Sequence, residues 1–197
     1  MGDTLNVYFI LYTAFRLAPF IVVSFFTLSS VLNQDLKGVI YLAGLLFATF
    51  FSIIIAPFTK YFPAINQTPE NEAICNSLTL SKTGKFSEIP LGMVVFTYTF
   101  FYLVDIISNY DLVSQNVPTF IIFPVLIIAE AVWNLSKECT TFGHLFTAFA
   151  IGSLWGFLWA RIIRSTGSVQ LQYFNGINNG QVCSRPSKQK FKCTINR

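Results

Sequence analysis

Five long apolar runs organise the chain, Tyr8 to Leu32, Gly38 to Phe58, Gly92 to Ser108, Val117 to Leu135 and Phe142 to Ile163, with polar breaks between them. Each is long enough for a helix to cross a hydrocarbon layer about 30 Å thick, which takes roughly 20 residues. None shows the alternation of a barrel strand. An amide in lipid has no water to bond, so runs this apolar satisfy their own backbones as helices. The pattern predicts an all-α, polytopic transmembrane bundle of about five spans over residues 1–163, with a long outer loop at 59–91. The first run reads as a retained helix: it has no basic leader, follows Asp3, and is longer than a secretory core.

After the fifth run the period changes. Val169 to Tyr173 and Phe191 to Ile195 alternate, and Asn175-Gly176 and Asn179-Gly180 supply turn residues, so residues 164–197 predict a small β-hairpin-like extramembrane tail.

Composition agrees with a membrane class. Of 197 residues 53% are hydrophobic, 17% aromatic and only 11% charged, with a mean hydropathy of +0.58. That is too little charge to coat a soluble domain. The net charge of +4 is concentrated in the tail, where Arg164, Arg185, Lys188, Lys190, Lys192 and Arg197 have no acidic neighbour. Basic residues stay on the cytoplasmic side, or its topological equivalent, which puts the tail there and the 59–91 loop opposite, together with Ser136 to Thr141. Lys60, Lys82 and Lys85 in the long loop make the bias partial, while sequons at Asn66 and Asn134 agree with an outer location.

Cys75 and Cys139 share the outer side and are candidates to pair. Cys183 and Cys193 bracket a short loop containing Arg185-Pro186 and are a second candidate pair, in conflict with a reducing cytoplasm. Their thiols stay free, or pair late in an oxidised particle, or the topology is inverted. No CxxC or HxxxH spacing exists, so no metal and no cofactor is expected.

Charges inside the spans are expensive and are expected to be paired or functional. Arg16 and Glu130 lie at comparable depth below the outer face, and Asp105 and Arg161 near the inner end. The expectation is two ion pairs that fix helix order; a small transporter or channel built on Arg16, Glu130 and Asp105 is the alternative. Their division between opposite ends favours structure. Small residues recur at every fourth position in two spans, Gly44, Ala48, Ser52 and Ala56 in the second and Ala148, Gly152, Gly156 and Ala160 in the fifth. Such stripes let backbones approach closely, within the bundle or across an oligomer.

His144, the one histidine, opens the fifth span. With Lys60 and Tyr61 to Pro69, then Pro90-Leu91-Gly92-Met93, then Ser136-Lys137, its order and spacing resemble the type 2 phosphatidate phosphatase superfamily. The resemblance covers about Lys60 to Ala160. It implies His144 as nucleophile with Lys60 and Lys137 on the phosphate. Met93 stands where the family has its proton-donating histidine and Ala148 where it has the orienting aspartate; Gln67 and Thr68 occupy an arginine's place, and Lys137 lies one residue further from His144 than the family's arginine. A lysine does not reproduce a guanidinium fork, and an imidazole without proton control is a poor nucleophile. The resemblance therefore implies a pseudoenzyme that kept the scaffold and lost the chemistry. The competing expectation is an active lipid phosphatase.

The tail string Cys183-Ser184-Arg185-Pro186-Ser187-Lys188-Gln189, with Phe191-Lys192-Cys193, resembles tails of uncharacterised multi-pass proteins of large icosahedral DNA viruses. This implies a noncatalytic structural or minor capsid protein of a virion inner membrane, or otherwise of a cellular membrane. Its expected partners are the lipid bilayer and proteins, capsid proteins if viral, met by the basic tail and the 59–91 loop. A nucleic acid partner is not expected.

Overall fold

The computed structural model describes residues 7–61, 75, 89–168 and 171–173, with side chains from residue 14 onward except at residues 16, 60 and 61. Every regular element among them is helical: α1 (Val7–Asn33), α2 (Lys37–Ile55) continued by a 3-10 turn (Ala56–Tyr61), α3 (Leu91–Asn109), a short 3-10 turn (Val113–Gln115), α4 (Val117–Ser136) and α5 (Phe142–Ser165). Four helices are long and apolar enough to cross a membrane, over Lys37–Thr59, Leu91–Asn109, Val117–Ser136 and Phe142–Ser165. In α1 the described apolar stretch is shorter, Leu17–Leu32. No strand occurs among the described residues. Of the expected hairpin tail, Leu171 to Tyr173 form a tight turn, and Phe191 to Ile195, Cys183 and Cys193 lie outside the described residues.

Local signals set the helix ends. Pro90, in extended conformation, precedes α3, Pro118 occupies the first turn of α4, and the Thr141 hydroxyl caps α5 by accepting from the His144 amide. Three helices end through a non-glycine residue in the left-handed region, Gln34 after α1, Asp111 after α3 and Glu138 after α4. In each case the next amide bonds five residues back: Asp35 to Ser30, Leu112 to Ile107 and Cys139 to Asn134. The α1–α2 corner is locked further by the Ser30 hydroxyl, which accepts from the Gly38 amide at 2.9 Å and lies 2.7 Å from the Asp35 carboxylate.

The helix most enclosed is α3. Within its apolar window 61% is buried, against 17% for α4, so α3 is the centre and α4 an outer stave. Its main partner is α5, with α2 across α5, α1 against α2 and α4 on the far flank of α3. Outward positions are large and apolar, among them Phe20, Phe25, Leu46, Phe50, Ile128 and Leu154, as a lipid-facing surface requires.

Both small-residue stripes face inward. Ala48, Ser52, Ala148 and Ala160 are fully buried. A Cβ at Gly44 would overlap the Tyr98 hydroxyl and the Trp159 ring, and one at Gly152 would overlap the Thr97 hydroxyl and crowd the Val94 carbonyl at 2.8 Å. Gly156 likewise faces the Tyr98 carbonyl, 2.6 Å from where its Cβ would stand. The stripes thus seat α3 against α2 and α5 within one chain.

Candidate functional site

Polar chemistry occurs at three depths between the tail-side end of the bundle, labelled inner, and the opposite end, labelled outer. At the inner end, Asp105 on α3 is buried and meets two cations one helical turn apart on α5: Arg164 Nη1 lies 3.0 Å from Oδ2 and Arg161 Nε 3.7 Å from Oδ1. The closer partner is Arg164, which the sequence reading assigned to the tail. The same end carries Asn109, whose side-chain amide donates to the Asp105 carbonyl, and a Lys37–Asp35 pair at 3.6 Å.

Midway, hydroxyl groups bind the helices together. Tyr41 and Thr99 oxygens are 2.6 Å apart, and because the Thr99 hydroxyl donates to the Val95 carbonyl, Tyr41 is the donor of the pair. Tyr98 donates to the Tyr41 carbonyl at 3.0 Å and Trp159 Nε1 to the Ile40 carbonyl at 2.9 Å. Tyr98 and Tyr102 stack at 6.0 Å, with Tyr41 tilted against both. In an apolar surround each such bond is worth about 0.6–1.7 kcal/mol. A hydropathy pattern counts the tyrosines and Trp159 as apolar, and formal charge singles out none of these residues. Their signal was present: Tyr98, Tyr102 and Asp105 recur at helical spacing on one face of α3.

The chain then returns onto this ladder. Gly167, in the left-handed region, ends α5, and the Leu171–Tyr173 segment reaches back across the inner end. There the Tyr173 ring packs edge-on to Phe26 at 4.5 Å and its amide donates to the Tyr102 hydroxyl at 3.3 Å. Gln172 is 1% exposed, and neither amide atom has a hydrogen-bond partner among the described residues. Burial pushes the Tyr173 phenol above its ordinary value, the nearby Ser29 side chain opposes this, and the Asp35 charge adds to it.

At the outer end a Cys75–Cys139 disulfide ties the 59–91 loop to the α4–α5 corner. His144 is buried, with Nδ1 2.7 Å from the Thr141 hydroxyl. Lys137 Nζ lies over the Trp133 ring at 5.6 Å. Buried Met93 and Ala148 bring only apolar groups to the positions that the phosphatase resemblance gives to acid and orienter. Glu130 is buried against the start of α3, 2.8 Å from where a Gly92 Cβ would stand, with Pro19 of α1 on the other side of the same point. Asn134 donates to the Glu130 carbonyl. The Arg16 and Lys60 side chains lie outside the described residues. No group of three or more metal-ligating side chains occurs among the described residues.

Chemically, the inner end can neutralise and position a carboxylate, and the ladder can hold helices in register. At the outer end the Thr141 hydroxyl meets the His144 imidazole at Nδ1. Comparison with family profiles, characterised proteins and solved structures finds no match to this chain.

Proposed function

We propose that the chain is a noncatalytic multi-pass membrane protein, a structural or anchoring component of a membrane-containing assembly. The observation that carries this reading is the interlock of α2, α3 and α5: fully buried Tyr41 and Tyr98 bond across α2 and α3, Trp159 of α5 donates to the Ile40 carbonyl, and buried Tyr102 accepts from the Tyr173 amide. Polar groups committed to such bonds rigidify a bundle. Arg16 with Glu130 is the proposed outer counterpart of the Asp105 cluster, and α1 the proposed fifth span. The tail's likeness to those of viral multi-pass proteins supports a virion inner membrane as the assembly, with capsid proteins as partners of tail and outer loop.

The test has two arms. Purified protein is assayed for phosphate release from phosphatidate and isoprenyl diphosphate beside His144→Ala, and its address is followed by fractionation. No turnover above the variant, with copurification in particles, is the expected result. Turnover abolished by His144→Ala would overturn the noncatalytic reading. Recovery in cellular membranes alone would remove the virion.

A further inference from the structure

The Asp105 cluster is electrically unbalanced, since two guanidinium groups meet one carboxylate. Arg164 makes the closer contact and is two-thirds buried, whereas the Arg161 side chain is 66% exposed and comes nearest to Asp105 through Nε at 3.7 Å. Two-thirds exposed, the guanidinium keeps donors for a further anion. Arg161 also continues the lipid-facing stripe of α5: Leu154 and Leu158, exposed to 59% and 41%, precede it by seven and three residues on the same side of the helix. Beside that stripe, the Phe101 and Phe157 rings meet at 5.0 Å and close the seam between α3 and α5. An exposed apolar lane thus ends, at the tail-side end of α5, on a guanidinium that is two-thirds exposed and only loosely paired.

We infer that Arg161 and the lane above it bind one anionic phospholipid of the leaflet on the tail side, its phosphate on the Arg161 fork and an acyl chain along Leu158 and Leu154. A guanidinium fork matches two phosphate oxygens, and the phosphate supplies the second negative charge that the cluster lacks. The Asp105 carboxylate, 3.7 Å from Nε, keeps the guanidinium at the α3–α5 seam by charge. The inference rests on the bilayer reading of α3 and α5 and not on the noncatalytic role.

The full-length protein is reconstituted in phosphatidylcholine nanodiscs with increasing phosphatidylglycerol, and retained lipids are counted by native mass spectrometry. Wild type is expected to keep one phosphatidylglycerol in preference to phosphatidylcholine, and Arg161→Gln to lose that preference about five-fold while remaining membrane-embedded and helical. A variant with Arg185, Lys188, Lys190, Lys192 and Arg197 all changed to Gln is expected to keep it. Equal retention by Arg161→Gln, loss in the tail variant, or displacement of the lipid by millimolar inorganic phosphate would each overturn the proposal. A protein that leaves the bilayer altogether would instead sink the membrane reading.

Discussion

The Tyr98 hydroxyl reaches the backbone carbonyl of Tyr41 at 3.0 Å because Gly44, one turn along α2, leaves the space for it. Gly44→Ala puts a methyl group into the Tyr98 hydroxyl and the Trp159 ring. The expected cost is about 1–3 kcal/mol, as for overpacked cores. Tyr98→Phe, which removes only the hydrogen bond, is expected to cost about 0.6–1.7 kcal/mol. Unfolding in mixed micelles measures both, and the glycine variant should be the weaker protein.

Asp105 is buried between two arginines on α5. Asp105→Asn leaves both cations unneutralised at the α3–α5 seam. Breaking a buried pair costs about 3–5 kcal/mol, and discounting for the exposed arginines brings the expectation to about 2 kcal/mol. Arg164→Gln should destabilise more than Arg161→Gln, because its contact is shorter and less exposed; the order of the two midpoints checks this.

The Leu171–Tyr173 strap carries an opposing cost. Gln172 is enclosed without a partner for either amide atom among the described residues, and a buried unsatisfied polar group costs about 1–3 kcal/mol. Gln172→Leu is expected to tighten the strap and Tyr173→Ala to release it, read as slower and faster amide exchange over residues 171–173. The Tyr173 phenol titrates above its usual value through burial. Its neutral form is the one that docks, so docking is complete below the ordinary tyrosine range, near pH 10, and is lost as pH rises through the elevated value.

The disulfide joins Cys75 and Cys139, 64 positions apart in the sequence. In the chain-entropy account a loop this long is worth up to about 4 kcal/mol. Cys139→Ser should lower the unfolding midpoint and abolish the mobility difference between reduced and non-reduced protein. A Cys183→Ser, Cys193→Ser double variant that retains this difference assigns it to the outer pair.

The sequence carried the helices clearly, because lipid enforces both length and apolarity. Span limits such as Val117 to Leu135 fall within a residue of α4 (Val117–Ser136). The inward direction of the stripes was open until Gly44 and Gly152 met Tyr98 and Thr97. The hydroxyl ladder was missed because a tyrosine counts as apolar in a hydropathy pattern although its oxygen needs a partner when buried. Arg164 was missed for a related reason: it lies beyond the apolar run yet is still on α5, one turn from Arg161, and so reaches Asp105. Nothing in the order of residues showed that the chain after Gly167 returns to cover Tyr102.

Sidedness tests the central claim of a bilayer-spanning bundle most directly. Single cysteines at Glu138 and at Thr166, in a background lacking Cys183 and Cys193, are labelled in sealed membranes with an impermeant maleimide. Opposite accessibility is predicted, with Glu138→Cys on the side of the disulfide and Thr166→Cys on the side of the tail. Labelling of both from the same side would contradict it.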